Sequence, residues 1–581
     1  MRAVMDGDWK HFTYAEVGRR VDMMAAALIR AGIKRGDKVA IFSQNRPEWA
    51  WADYAALTIG AIVVPLYATS TPSQVRQIMA DAGVQFAFVG GPSEAERVDE
   101  VWDEIPTLTD AAAFEPTDSP RYPTYGDLEI EPTDEEQAEI EARLAEARAD
   151  DVATIIYTSG TTAEPKGVVL PHSNFFHQMD AVQDRYQLDE TDRSLCFLPL
   201  SHVFERAWSY YVMALGAENV YVLDPKAVAS ILPLVKPTMF VSVPRLYEKV
   251  VATAKEQAES GLKKKLFDWS IAVGNKAQHA IYAKRPLPLA LRIKHRIAKL
   301  LVLNKLMRAI GGPKRVMAAG GAPLRKEVEE FWFSFGALVS QGYGLTETSP
   351  MLTCNAPEAF KFGTVGRPVL GCEIRIAEDG EILARGPNIM REYYNNPEET
   401  AKTLVDGWLH TGDIGHIDED GYVVVTDRIK DIIITSYGKN VAPQPIEGRL
   451  MADPFIEQAI VIGDRRSYLT ALIQPAYEQV EAWARKAGIA FENREALLQT
   501  PRILTMFNER VKTALSDLMQ HEQVHRFKLL ANELTMESGL LTPTLKVRRQ
   551  KAEAELAAEI DEMYEEPSPE QNDSDEGDAK E

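Results

Sequence analysis

The stretch DVATIIYTSGTTAEPKGVVL, from Asp151 to Leu170, decides how the rest of the chain is read. A β-branched run ends in a hydroxyl- and glycine-rich loop, and the loop closes on Lys166. Such a loop suits a nucleotide's phosphate tail: backbone N–H groups and hydroxyls ring the phosphate oxygens while the ammonium neutralises charge. It is not the common P-loop, because G-x-x-x-x-G-K-[ST] is absent and Pro165 precedes the lysine. A flexible Ser/Thr/Gly turn between two strands is the competing local reading.

Outward from the loop, the pattern is that of a parallel sheet covered by helices. Phe12 to Gly36 carries Val17, Met23, Met24, Ala27 and Leu28 at helical spacing, with Gly32 as a stop signal. Lys38 to Phe42 reads as a strand, Trp49 to Gly60 as a helix, and Ala61 to Val64 as a buried strand before Pro65. Strand and helix alternate through Phe88. Asp134 to Ala149 is an exposed charged helix or connector. Lys255 to Met307 is a long basic helical stretch, split by Pro286 and Pro288. It suits an anionic membrane surface, a polyphosphate ligand, or plain solvent on a charged face.

Bulk properties narrow the function classes. The chain has 581 residues and a formal net charge of −22, which argues against general nucleic-acid binding. Cys196, Cys354 and Cys372 match neither a zinc site nor a disulfide framework and predict a reducing compartment. Without a signal peptide or a transmembrane-length apolar run, the expectation is a cytoplasmic protein, with peripheral contact at the inner face of the membrane left open. Residues 561–581, acidic and poor in apolar side chains, are expected to be a disordered tail.

A change of character follows Thr426. Asp427 to Asp431 (DRIKD) is a charge run between two strand-like segments, Tyr422 to Val425 and Ile432 to Thr435. The chain beyond has its own strands (Ala459 to Gly463, Thr470 to Gln474) and helices (Val480 to Ala487, Arg502 to Met519). The expected organisation is a large domain over 1–427 and a small one over 428–560. Asp427 and Lys430 lie in an exposed, charged hinge.

Three further segments give the first loop meaning. GYGLTET, Gly342 to Thr348, offers an aromatic face for a base, a hydroxyl and a carboxylate suited to Mg²⁺. DGWLHTGD, Asp406 to Asp413, ends in an acidic residue suited to paired ribose hydroxyls. LTPTLKVRR, Leu541 to Arg549, brings Lys546 near the end of the small domain. Taken singly, Tyr343 also reads as a core aromatic, Asp413 as a turn former and Lys546 as a surface lysine.

In this order the four segments resemble the adenylate-forming (AMP-binding) superfamily, the acyl-CoA synthetases and their relatives, over nearly the whole chain from Phe12 to Arg549. PLSHVFER (Pro199 to Arg206), VPRLYEK (Val243 to Lys249) and GKNVAP (Gly438 to Pro443) resemble its long-chain fatty acid–CoA ligase branch. The resemblance implies an α/β fold, with layered sheets and helices in a large N-terminal domain and a small mobile α+β C-terminal domain. It also implies a two-step reaction using fatty acid, ATP, CoA and Mg²⁺. A carboxylate attacks the α-phosphate to give acyl-adenylate and pyrophosphate, and the CoA thiol then displaces AMP.

Residue by residue, the resemblance implies that Thr158, Ser159, Gly160, Thr161, Thr162 and Lys166 wrap the β- and γ-phosphates. Thr158 and Glu347 help hold Mg²⁺. Gly320, Gly321, Ala322 and Pro323 flank adenine opposite Gly342, Tyr343 and Gly344, with Tyr343 stacking on the base. Thr346 touches the α-phosphate, and Asp413 and Arg428 bind the ribose. Lys546 bridges the carboxylate and the α-phosphate. His202 borders the acyl carboxylate, with a packed histidine after a proline turn as the alternative. Gly438 and Lys439 form the CoA-side loop that replaces Lys546 after rotation about Asp427.

Three departures accompany the match: Ala163 where a glycine is usual, Tyr437 where a small residue is usual, and a short segment before Phe12. Two other functions stay open at this level. One is a different adenylate-forming enzyme, either a fatty acyl-AMP ligase loading a carrier protein or an aryl or short-chain acid–CoA ligase. The other is a non-catalytic nucleotide-responsive module. The sequence leaves monomer and homodimer open.

Overall fold

A computed structural model describes every residue except 6–7, 159–164, 259–260, 438, 536–537, 543–546 and 566–581. The chain forms two compact units, Met1–Val425 and Thr426–Glu581.

Three sheets build the first unit. One places Glu392–Tyr393, Lys166–Pro171, Val152–Thr158, Ile62–Leu66, Lys38–Phe42, Val84–Val89 and Asp110–Ala113 side by side. Its middle strands are parallel, as the alternating pattern predicts, and their near-continuous apolar runs suit a sheet buried on both faces. Pro65 does not end its strand, contrary to expectation; it lies inside Ile62–Leu66, opposite Ile41. On the other side the pairing register records only Val63 opposite Thr154, so the missing N–H of Pro65 falls beyond that pairing.

A second sheet runs from Arg367–Pro368 through Met351–Cys354, Val339–Gly344, Val316–Ala319, Met239–Ser242, Arg193–Cys196 and Glu218–Tyr221 to Arg2–Met5 and Asp8–His11. The strands from Val339–Gly344 to Arg2–Met5 are parallel. The N-terminal strand was not legible as one: Arg2–Met5 is short and gains its definition by pairing with Glu218–Tyr221 on one side and Asp8–His11 on the other. A smaller antiparallel sheet holds Glu373–Ile376, Glu381–Arg385, Trp408–Ile417 and Leu404–Val405, and Val423–Arg428 joins it beside Trp408–Ile417.

The first helix spans Tyr14–Arg30, two residues inside the expected start, because Thr13 caps it. The Thr13 hydroxyl accepts from the Glu16 N–H at 3.2 Å, and the Glu16 carboxylate accepts from the Thr13 N–H at 2.7 Å. Its apolar face packs on the helix Pro47–Thr58. The helix Asp134–Ala145 is fixed through Arg30 to Glu136, 2.7 Å, and through buried Ile140. At the centre of this unit Arg206 and Asp53 form a fully buried ion pair that also engages Tyr210 at 2.6 Å and Thr154 at 2.7 Å.

The second unit is α+β. Ile456–Ile462, Leu469–Pro475 and Val524–Leu529 form its sheet, and Pro443–Leu450, Tyr477–Lys486 and Pro501–Ala514 supply helices to its core. The expected tail boundary at 561 is too early. Asp561 and Glu562 complete the helix Ala557–Glu562, Met563 is buried, and Tyr564 packs on Tyr468 at 5.0 Å. Two aromatic and apolar side chains amid acids carry the anchor. No helix among the described residues is long and apolar enough to cross a membrane.

Candidate active site

Val152–Thr158 and Lys166–Pro171 form an antiparallel hairpin, with Thr158 directly opposite Lys166. The two ends of the predicted phosphate loop are therefore adjacent. Ser159, Gly160, Thr161 and Thr162 lie outside the described residues. Gly167 follows Lys166 because a Cβ there would come within 2.8 Å of the Ile155 side chain and 3.0 Å of the Tyr157 ring.

Sequence reasoning missed the next strand. Glu392–Tyr393 pairs antiparallel with Lys166–Pro171, placing Tyr393 opposite Val168. The Tyr393 ring lies under the Lys166 ammonium, 5.3 Å to its centroid, and the Tyr393 hydroxyl donates to Glu347 Oε1 at 2.7 Å. Lys166 is also paired with Glu399, at the start of the helix Pro397–Thr403. Burial, and then the Glu347 charge, push the Tyr393 phenol well above its ordinary range. It stays a neutral donor. Lysine, tyrosine and glutamate from three distant segments thus form one cluster around the loop mouth. The only available signal was YYNNPEET, Tyr393 to Thr400, an aromatic pair before a helix start; the strand pairing gives it meaning.

Glu347 sits in the turn Thr346–Thr348, which the Lys166–Pro171 strand touches, and its carbonyl accepts from the Met390 N–H at 2.8 Å. The Thr158 hydroxyl and the Glu347 carboxylate are hard oxygen donors. Mg²⁺ typically takes one or two protein oxygens and fills its shell from substrate phosphates and water, so this donor set fits the ion. Among the described residues no group of three or more His, Cys, Asp or Glu forms a dedicated cage.

The expected nucleotide walls lie at the C-terminal ends of parallel strands, where open α/β sheets bind ligands. Gly320, Gly321, Ala322 and Pro323 follow Val316–Ala319, and Gly342, Tyr343 and Gly344 end the neighbouring strand. A Cβ on Gly320 would lie 3.2 Å from the Phe204 ring and 3.9 Å from the Gly342 carbonyl, so this wall is closely apposed. Gly344 is obligatory: a Cβ would meet the Pro350 carbonyl oxygen at 1.7 Å. The Tyr343 hydroxyl donates to Asp413 Oδ2 at 2.7 Å, joining the expected base and ribose residues across 70 positions of sequence. Asp413 is buried in Trp408–Ile417, and Thr346 opens the Glu347 turn.

His202 caps the helix Val203–Ala214, its Nδ1 accepting from the Phe204 N–H at 3.1 Å. This fits the packed-histidine reading; the residue is half-buried, two positions from the Phe204 whose ring backs Gly320. Glu205 props the same turn by accepting from the Leu198 N–H at 2.9 Å. Burial pushes its carboxyl up to about 8.

The remaining candidates belong to the second unit. Asp427 departs from the expected exposed hinge: it is buried, one carboxylate oxygen has no hydrogen-bond partner among the described residues, and burial pushes its pKa up to about 6. A run of charged letters does not reveal that its first member turns inward. Arg428 ends the strand Val423–Arg428, and Lys430 is exposed in the turn Ile429–Asp431. Lys439 is exposed at the hairpin Ile433–Ile434/Asn440–Val441, where its N–H donates to Thr435 Oγ1 at 3.2 Å. Gly438 and Lys546 lie outside the described residues. The flanks of Lys546 are fixed: Leu541 bridges Val547, the Arg548 N–H donates to the Leu540 carbonyl at 2.8 Å, and Arg549 pairs with Glu447 at 2.5 Å.

A glycine-lined wall at the ends of parallel strands, a lysine-closed loop and a nearby carboxylate define a nucleotide-using enzyme of the α/β class. The chain belongs to the AMP-binding enzyme family: the AMP-binding enzyme model matches residues 1–394, and the AMP-binding enzyme C-terminal domain matches residues 430–568. It is 38% identical over 568 residues to the long-chain-fatty-acid–CoA ligase FadD15 of Mycobacterium bovis, covering 97% of this chain and 93% of that protein. It is 31% identical to the peroxisomal long chain acyl-CoA synthetase 7 of Arabidopsis thaliana, covering 96% of this chain and 82% of that protein. Its fold is shared with the anthranilate CoA ligase AuaEII in complex with anthranoyl-AMP, at a TM-score of 0.70 and 19% identity, covering 94% of this chain and 93% of that one.

Proposed function

We propose that the protein is an AMP-forming acid–thiol ligase that activates long-chain fatty acids with ATP and transfers the acyl group to CoA. The observation that carries this reading is similarity along 97% of the chain to a long-chain-fatty-acid–CoA ligase, at 38% identity. The Lys166, Tyr393 and Glu347 cluster supports it.

A carboxylate is a poor acylating agent because oxide or hydroxide would have to leave. In the proposed first step a carboxylate oxygen attacks the α-phosphorus of ATP, and the bond to pyrophosphate breaks. The Thr158–Lys166 loop holds the β- and γ-phosphates, with the Lys166 ammonium exchanging Glu399 for phosphate. Tyr343 and the Gly320–Pro323 wall enclose the base, and Asp413 and Arg428 take the ribose hydroxyls. Thr346 contacts the α-phosphate. Thr158 and Glu347 are the residues that would hold Mg²⁺, which when bound neutralises charge on the phosphate oxygens. Lys546 spans the attacking carboxylate and the α-phosphate. Its contribution is orientation and charge stabilisation rather than covalent chemistry.

In the second step the CoA sulfur, having lost its proton, attacks the acyl carbonyl and AMP departs with the former carboxylate oxygen. His202 borders that carbonyl. The small domain pivots at Asp427 so that the Gly438–Lys439 loop replaces Lys546.

The test is a two-stage assay. Fatty-acid-dependent pyrophosphate release without CoA, followed by CoA-dependent AMP and acyl-CoA formation, is the expected result. Pyrophosphate release that never yields acyl-CoA would assign the protein to carrier loading, and activity confined to aryl or short-chain acids would reassign the substrate class. Neither signal would leave a nucleotide-responsive module.

A further inference from the structure

The helix Leu289–Ala298 and its continuation Lys299–Leu303 carry two apolar faces. One faces the core: His295, Ala298 and Leu303 are buried, and Leu291 and Val302 pack against the same cluster. The other points away from it. Leu289, Ile293 and Ile297 recur every fourth residue on the opposite side, continued by Leu300 and Leu301, and all five are exposed, Leu289 at 71% and Leu300 at 74%. The core face fixes the helix rotation, so the outer stripe cannot turn inward. Contiguous exposed apolar surface with a polar rim marks an interaction site.

The rim identifies the partner. Arg292, Lys294, Arg296 and Lys299 lie between the two faces and are exposed. Among the described residues none of the four has an ion-pair partner; the partners recorded for lysines and arginines lie elsewhere. From Trp269 to Ile310 the chain has nine Lys and Arg and no Asp or Glu, although its net charge is −22. A basic rim around a Leu/Ile stripe is the pattern of a helix lying in the plane of an anionic lipid surface, apolar side chains among the acyl chains and cations at the headgroups. A second copy of this chain would set like charges against each other with no acid to meet them. A free polyphosphate would leave the five apolar side chains in water.

We propose that this helix docks the protein peripherally on a bilayer containing anionic phospholipid. The proposal stands apart from the ligase reading, because it is read by vesicle binding and not by turnover.

The test is co-sedimentation of the full-length protein with vesicles of phosphatidylcholine, with and without phosphatidylglycerol. The protein should pellet with phosphatidylglycerol-containing vesicles, stay in solution with phosphatidylcholine alone, and be released by high salt. Ile293→Glu combined with Ile297→Glu should weaken apparent affinity roughly tenfold or more, because two apolar side chains no longer leave water. Arg292→Glu combined with Lys299→Glu should weaken it comparably. Both variants should keep the wild-type melting temperature, since only outer-face residues change. Absence of vesicle binding, or equal binding by the variants, overturns the proposal. So does self-association of the free protein that the isoleucine variant dissolves, which would give the face to a second copy. Binding of inorganic tripolyphosphate abolished by the charge variant and untouched by the isoleucine variant would give it to a soluble anion and equally overturn it.

Discussion

The Tyr393 hydroxyl donates a 2.7 Å hydrogen bond to Glu347 Oε1, while the same ring lies 5.3 Å beneath the Lys166 ammonium. One side chain therefore ties the predicted magnesium carboxylate to the lysine that closes the phosphate loop.

Removing that hydroxyl should loosen the carboxylate without emptying the space under the lysine. Tyr393→Phe loses a hydrogen bond to a charged group, a net effect of roughly 1.5–3 kcal/mol at most. The expected outcome is a higher Mg²⁺ concentration for half-maximal rate, with the unfolding midpoint changed little. Initial rates across a magnesium titration check this; an unchanged magnesium dependence would remove Tyr393 from the site.

Glu205 gives a pH signature of stability. Burial pushes its carboxyl up to about 8 from an ordinary 4.5. Between those values the folded chain keeps the proton and the unfolded chain has released it. The folded state binds more protons in this window, so the Glu205 contribution to stability falls as pH rises through it and is level above about 8. Glu205→Gln still offers an oxygen to the Leu198 N–H and cannot ionise. Its stability relative to wild type should therefore rise steadily from about pH 5 to about 8. Denaturant unfolding of both proteins across that range is the measurement, and a pH-independent difference would contradict the assignment.

The last described turn of the chain is equally specific. Tyr564 Oη lies 3.0 Å from the Tyr468 carbonyl and 3.1 Å from the Thr470 hydroxyl, and Arg466 sits 4.7 Å over its ring. Truncation after Glu565 should leave folding and turnover near normal. Truncation after Ile560 removes buried Met563 and packed Tyr564 and should cost several kcal/mol, on the order of 2–5. Melting temperatures of the two truncations decide; equal stability would mean that residues 561–565, Met563 and Tyr564 among them, add nothing.

What was legible in the sequence follows from range. The helix Tyr14–Arg30 and the strand Lys38–Phe42 announce themselves through period and a local cap, Thr13 with Glu16, and the Thr158 and Lys166 ends of the loop meet through a simple hairpin. Tyr393 was invisible because its role depends on a strand pairing across more than two hundred residues. Pro65 misled for the opposite reason: proline is a strand breaker only where its N–H is required, and on the Val152–Thr158 side the recorded pairing stops at Val63. Asp427 reads as one charge among five, and its burial is set by tertiary packing that no charge pattern encodes.

The account rests on Lys546 acting in the first half-reaction alone, and Lys546→Ala tests this most directly. Pyrophosphate release from ATP and fatty acid should fall by a factor of roughly a hundred or more, the scale of losing one charge-stabilising group. Acyl-CoA formation from supplied acyl-adenylate and CoA should stay near the wild-type rate. Equal loss of both half-reactions, or undiminished pyrophosphate release, would contradict the account.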